Sequence, residues 1–198
     1  MLTELADYYC ALRTLSSSVL GAISVGSNSF GCLVDFWTTD ELLTTLFKLR
    51  RGELFNDCII TIAGDWYQGN YAKRLAAQPP KLQNVVEYAR SQICCKIAAA
   101  QQEFLHKGSH HIEYRRAVLN IRSTAAMPLP TYYRKMADLA VEHIGSLDSM
   151  PALTTLLSKD FVNITVGTEA GSGYTYDHFL CGRVMEKDLP WDVNEKDW

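Results

Sequence analysis

An apolar stripe near the middle of the chain constrains its fold more than any other feature. Its members follow one another at intervals of three or four residues: Leu82, Val86, Ala89, Ile93, Ile97, Ala100 and Phe104. Because residues at this spacing share one face of an α-helix, the stripe predicts a long amphipathic helix over 81–106. Pro80 suits the first turn of that helix, and Gly108 suits its end. Ile93 and Ile97, in the middle of the stripe, are predicted to be core residues.

The same spacing predicts further helices on both sides of the stripe. Their apolar faces lie at 5–22 (one helix, or two with a break near Ser16), 42–49, 114–121, 133–144 and 153–157. Thr38 and Glu41 form a capping box at the start of the second of these helices, and Gly52 is predicted to end it. Ser149 is placed to cap the last one.

Three other segments have weaker patterns. Segment 54–63 is rich in β-branched residues, which favours a strand, but its apolar residues also fit helical spacing, and we prefer a helix. Segment 64–80 contains Gly69, Pro79 and Pro80 and is predicted to be a loop. Pro128 and Pro130 predict a linker.

These elements indicate a mainly α fold. A chain of 198 residues, 47% of them hydrophobic, can bury a substantial core. We expect a single-domain helical bundle over 1–158, followed by an irregular C-terminal segment over 159–198. Weak alternation at 161–166 and 179–185 leaves open a small β-hairpin in that segment.

Composition excludes several classes of partner. With a net charge of −3, the chain lacks the positive electrostatic field of nucleic-acid binders. It also has no apolar run long enough to span a membrane. Acidic Glu4 and Asp7 argue against a signal peptide, so we expect an intracellular protein, cytoplasmic or nuclear. The cysteines are expected to be reduced, with Cys10, Cys58 and one of Cys94 and Cys95 buried in apolar segments. The oligomeric state is not set by the sequence.

Motifs that carry chemistry are missing. His106 and His110 have the spacing of metal ligands, but the helix is predicted to end at Gly108, between them, and no HExxH motif is present. Asp57 and Asp65 are interpreted as capping or surface carboxylates. The glycine-rich segment 167–173 lacks a phosphate-binding pattern. We therefore assign no catalytic, cofactor-binding or metal-binding residue, and we expect no cofactor.

The acidic tail over 188–198 contains the two candidate interaction residues, Trp191 and Trp198. Tryptophan is enriched at binding hot spots. The tail is either a docking peptide for a partner or an arm packed on its own domain. We prefer intramolecular packing of Trp191, because a tethered segment meets its own domain first.

Four stretches carry a family resemblance. They are 5–12 (LADYYCAL), 49–58 (LRRGELFNDC) running on to 64–66 (GDW), 98–105 (AAAQQEFL) and 188–198 (DLPWDVNEKDW). In this order they resemble the region C-terminal to the BTB/POZ domain in filamentous-fungal BTB domain proteins. The BTB domain itself would precede Leu5. Self-association and the adaptor role towards cullin-type ubiquitin ligases belong to that domain and are not carried over, and the family supplies no catalytic residue.

The functional prediction is a non-enzymatic helical protein-interaction module with an unknown protein partner. Two alternatives stay open. An enzyme whose pocket forms only in three dimensions would show buried, convergent polar groups with perturbed pKa values. A structural or assembly subunit would show a large exposed apolar patch.

Overall fold

The computed structural model describes residues 3–4, 11–25, 39–66, 70–124, 127–160 and 178–192. Within these ranges it contains eight α-helices: α1 (Leu12–Val25), α2 (Thr39–Lys48), α3 (Gly52–Ala63), α4 (Asn70–Ala76), α5 (Pro80–His110), α6 (Ile112–Thr124), α7 (Leu129–Ile144) and α8 (Pro151–Leu156). Two short 3-10 turns cover Leu147–Ser149 and Glu186–Asp188. The predicted mainly α fold is confirmed.

The described residues contain no β-sheet. Their only β contact is an isolated antiparallel bridge between Asp65 and His178. Segment 179–185, the return strand of the hairpin left open by the sequence, is irregular, and 161–166 lies outside the described residues. Among the described residues, no helix combines the length and hydropathy needed to cross a bilayer.

Helix α5 is the long helix predicted from the apolar stripe. Pro80 lies in its first turn, and the expected burial of Ile93 and Ile97 is confirmed. The predicted end at Gly108 is wrong, because α5 continues to His110. Gly108 is buried instead, and a side chain there would contact the Cβ of Arg115 at 3.5 Å. That distance is an ordinary van der Waals contact, so Gly108 is a buried position within α5 that faces α6, and it does not break α5.

Helix α3 occupies the segment that was ambiguous in sequence, and the preference for a helix is confirmed. Every residue from Leu54 to Ala63 is buried. A helix that is enclosed on all sides has no polar face, which explains why its apolar periodicity was weak. Its polar members still make hydrogen bonds: Asn56 Oδ1 accepts from the backbone N–H of Val184 at 2.7 Å, and Thr61 donates to the carbonyl of Asp57 at 2.9 Å.

The boundaries of the N-terminal helices differ from the prediction in two places. Helix α1 continues through Ser16, whose hydroxyl donates to the carbonyl of Leu49 at 2.9 Å, so the alternative with a break there is wrong. Gly52 begins α3 instead of ending α2, which stops at Lys48. Thr38 lies outside the described residues.

Three further corrections concern predicted loops and caps. Helix α4 lies inside the predicted 64–80 loop and is attached through Arg74, which pairs with Asp65. Pro130 lies within the first turn of α7 rather than in a linker. Ser149 does not cap α8. The carboxylate of Glu103, on α5, accepts hydrogen bonds from the α8 backbone N–H groups of Ala152 (3.2 Å) and Leu153 (3.0 Å).

The predicted end of α7 at Gly145 is confirmed. This residue has φ of 91°, in the left-handed region that glycine adopts without steric cost, and its N–H bonds to the carbonyl of Val141. Further along the chain, segment 178–192 crosses the bundle. Phe179, Cys181 and Val184 from this segment are part of the hydrophobic core.

Candidate functional site

A buried polar cluster joins the C-terminal segment to the helices. We call it the Asp65 cluster, and its members are Asp65, Arg74, Arg90, Arg134 and His178. The side chain of Asp65 is fully buried, with Oδ2 at 3.2 Å from Arg74 Nη1 and Oδ1 at 3.6 Å from His178 Nε2. Arg134 Nη2 donates to the carbonyl of His178 at 2.8 Å. Asp57, inside α3, is also fully buried, so the interpretation of Asp57 and Asp65 as capping or surface carboxylates is wrong.

Arg90 completes this cluster from α5. Its Nη1 donates to the carbonyls of Ala63 (2.8 Å) and Asp65 (2.6 Å), which satisfies acceptors at the end of α3. The guanidinium carbon lies 3.6 Å from the ring centroid of Trp66 and 4.0 Å from that of Tyr71. Burial lowers the pKa of Arg90 and raises the pKa of Tyr71. The cation–π contacts with these two rings stabilise the charge of the Arg90 guanidinium inside the fold.

The Asp65 cluster is the kind of convergent buried polar set that an enzyme would need, but its contacts indicate a structural role. Its polar groups contact one another and backbone carbonyls, and Asp65 and His178 are 0% and 3% exposed. Neither of the two cavities described below is lined by its members.

The first cavity is a groove between α5 and α7 with a volume of about 420 Å³. We call it the α5–α7 groove. Its apolar lining comes from α5, from α7 and from the connection before α7: Phe104, Leu105, Met127, Leu129, Tyr132 and Met136. Leu105 is 70% exposed at the groove. Methionine side chains adapt to irregular apolar partners, so this lining suits an inserted apolar side chain.

The second cavity, of about 360 Å³, lies beside Trp191. The indole packs edge-on against the buried ring of Phe55 with centroids 4.8 Å apart, and it also contacts Phe47 with centroids 6.0 Å apart. The predicted packing of Trp191 on its own helical body is confirmed. Trp198 lies outside the described residues.

We predict that Trp191→Ala lowers the stability of the fold. Because the indole is only half-buried, we expect a loss of about 1–2 kcal/mol, less than for a fully buried tryptophan. That corresponds to roughly 2–8 °C in melting temperature, which circular dichroism at 222 nm would measure. An unchanged melting temperature, together with loss of a co-purifying protein, would instead show that Trp191 is a docking residue.

The histidines and cysteines are placed differently from expectation. Because α5 continues through His110, His106 and His110 share one helix face, with ring centroids 5.3 Å apart. Within the described part of the chain, no group of three or more metal-ligating side chains occurs. Cys58 is buried as predicted, whereas Cys94 and Cys95 are both exposed, so the expectation that one of them is buried is wrong. Cys10 and Cys32 lie outside the described residues.

Cys181 is the other buried thiol among the described residues. Burial raises its pKa to about 11, so it stays protonated at neutral pH. Since the thiolate is the reactive form of cysteine, Cys181 lacks the character of a catalytic nucleophile.

No known protein family matches this chain, and comparisons with curated proteins and with solved structures find no match.

The α5–α7 groove was not found from the sequence. One signal did exist: Leu105 directly follows Phe104, the last residue of the apolar stripe, and so falls outside the buried face. An exposed leucine alone is common on protein surfaces and does not identify a site. Leu105 becomes part of a site only because Tyr132 and Met136, on another helix, line the same groove.

Proposed function

We propose that this chain is a helical protein-interaction module and that the α5–α7 groove is its docking surface. The observation that carries the proposal is the exposed Leu105 beside a concave groove lined by aromatic and methionine side chains. Protein-binding grooves of this kind accept apolar anchor side chains from a partner helix or peptide.

The chemistry of the groove favours binding over catalysis. Among the described residues that line it, the polar groups are the amide of Gln101 and the hydroxyls of Tyr132 and Tyr133. None of these lining residues is a carboxylate, an imidazole or an amine, which are the usual general acids and bases. The amide and the hydroxyls can thus orient an apolar segment by hydrogen bonds. None of the lining groups is suited to proton transfer at neutral pH.

Two further parts of the proposal come from the sequence. The resemblance to the region that follows the BTB domain in filamentous-fungal proteins supports a role in protein interactions. We also propose an intracellular location, cytoplasmic or nuclear, which is supported by cysteines interpreted as reduced thiols.

The decisive test compares two leucines. Leu105 lies at the groove, whereas Leu119 on α6 is 50% exposed and does not line it. We expect Leu105→Glu to remove specific partners from the tagged chain purified from its native cell, because a carboxylate in an apolar groove must be desolvated. Leu119→Glu should retain those partners.

Quantitative mass spectrometry compares the proteins that co-purify with the wild-type, Leu105→Glu and Leu119→Glu chains. Equal melting temperatures of the two variants would show that the difference arises from the groove and not from unfolding. The same partners on the wild type, Leu105→Glu and Leu119→Glu chains would contradict the proposed docking surface.

A further inference from the structure

Two histidines form a pair at the C-terminal end of α5. His106 and His110 are four residues apart, and because α5 continues to His110 they share one face of the helix. Both side chains are exposed, and their ring centroids are 5.3 Å apart, with the ring planes inclined at 75°. The argument from sequence against a metal site was a helix end between the two histidines, and it does not apply to the folded chain.

The separation of the two rings fits a shared metal ion. An imidazole nitrogen binds Zn²⁺ at about 2.0–2.1 Å, which places the centre of the ring about 3.2 Å from the ion. Two such rings at a tetrahedral angle have their centres about 5.2 Å apart, and the observed distance is 5.3 Å. Because both side chains are exposed, rotation about their own bonds can turn a nitrogen of each ring to the ion without moving the backbone.

The two rings have no other task in the fold, and the turn that carries them is well supported. Within the described residues, neither imidazole makes a hydrogen bond or an ion pair, and the two rings contact each other. The backbone N–H of His111 bonds to the carbonyl of Lys107 at 3.0 Å, which closes the last turn of α5. Gly108 in the same turn is buried beside Arg115 of α6. Binding of an ion would therefore displace water and break no contact of the fold.

The electrostatic surroundings favour a cation at this position. The rings lie in the last turns of a 31-residue helix, and the C-terminal end of a helix carries partial negative charge. The charged side chains nearest to the pair along α5 are Glu103, one turn before His106, and the half-buried Lys107. Their charges are opposite in sign, so they leave no net positive charge that would repel the ion.

We infer that His106 and His110 chelate one divalent transition-metal ion of the class that imidazole prefers, which is Zn²⁺, Ni²⁺ or Cu²⁺. Mg²⁺ and Ca²⁺ prefer oxygen ligands and do not suit the pair. In the described part of the chain, no third metal-ligating side chain joins the two histidines. The inferred site therefore has two protein ligands, with water at the other positions of the ion. It is separate from the α5–α7 groove, whose lining includes neither histidine.

Titration of Zn²⁺ into the purified, untagged full chain tests this inference, with NMR of the imidazole nitrogens as the measurement. The background is Cys94→Ser with Cys95→Ser, because exposed thiols also bind zinc. We expect the largest shifts at the ring nitrogens of His106 and His110, saturating at one ion per chain. Excess Mg²⁺ should not displace the zinc.

Single variants test the chelation. Loss of either ring, in His106→Ala or His110→Ala, should weaken zinc binding roughly tenfold or more, because the bond to the second imidazole is intramolecular once the first has formed. His143→Ala is the matched control, since His143 is an exposed histidine on α7. Gln102→His, added to His110→Ala, restores a pair with four-residue spacing on exposed positions of α5 and should restore the affinity.

Two results would overturn the inference: imidazole signals of His106 and His110 that do not respond to zinc, or equal zinc affinity in His106→Ala, His110→Ala and His143→Ala. A failure of Gln102→His to restore binding, in a chain with unchanged circular dichroism, would overturn the assigned chelation geometry. The dependence of cellular partners on Leu105 tests the docking groove alone, so the metal site and the groove are tested independently.

Discussion

Asp65→Asn is expected to lower the free energy of unfolding by about 3–5 kcal/mol, the range measured when one partner of a buried ion pair is removed. Asp65 is fully buried, and the Arg74 side chain that pairs with it is 9% exposed. Removing the carboxylate charge leaves the guanidinium inside the fold without the anion that lies 3.2 Å away. At roughly 2–4 °C per kcal/mol, the melting temperature should fall by about 6–20 °C.

The chain provides its own control for this experiment. Arg116 and Glu113 form an ion pair at 2.9 Å, but their side chains are 66% and 71% exposed. Solvent screens this pair, so Glu113→Gln should change stability by no more than about 1 kcal/mol. Urea denaturation followed at 222 nm would compare the two variants. If both cost the same, Asp65 and Arg74 do not behave as a buried pair.

A double variant separates charge from packing. Asp65→Leu combined with Arg74→Leu removes both charges of the pair and should be more stable than Asp65→Asn, because the Arg74 guanidinium is no longer buried without its anion. If the double variant is less stable than Asp65→Asn, the hydrogen bonds of this cluster matter more than its ionic contact.

The most predictable parts of the fold were those specified by local periodicity. Helix α5 was recognised because its stripe repeats over many turns and one face stays polar. The helix over 54–63 was harder to recognise, since α3 is enclosed on all sides and burial removes the polar face that defines the period. Its helical state is stabilised by packing, and only weakly by its β-branched residues.

The errors share a physical cause, which is contact between residues distant in sequence. Helix α4 is attached through the pairing of Arg74 with Asp65, and Glu103 caps α8 from another helix. Gly108, a helix-ending signal by itself, is instead buried within α5 beside Arg115 of α6. Sequence rules for loops, helix caps and helix ends consider only neighbouring residues. They fail where a residue distant in sequence supplies the hydrogen bonds that the end of a helix lacks.

The candidate site was less predictable than the fold. Trp191 was identified because tryptophan in a short acidic tail needs an apolar contact, and Phe55 supplies it. The α5–α7 groove has no sequence motif, since Leu105 and Met136 belong to different helices.

Ile93→Ala is the second variant with a large expected effect, about 2–5 kcal/mol for a fully packed isoleucine. Ile93 is fully buried in the middle of α5. The C-terminal segment passes directly over it, since a Cβ added at Gly182 would lie 3.4 Å from Ile93 Cδ1. Truncation thus opens a cavity between α5 and that segment, and the loss depends on how far the segment can collapse into it.

Leu105→Ala on the same helix is the matched comparison for Ile93→Ala. Leu105 is 70% exposed, so its truncation should stay within about 0.5 kcal/mol. Denaturant unfolding of both variants gives the difference, and an unchanged slope with denaturant would show that both unfold from the same native state. If Ile93→Ala costs less than about 0.5 kcal/mol, the stripe does not face the core. A large loss of stability in Ile93→Ala, with no loss in Leu105→Ala, would mean that one face of α5 stabilises the fold while the other stays available for binding.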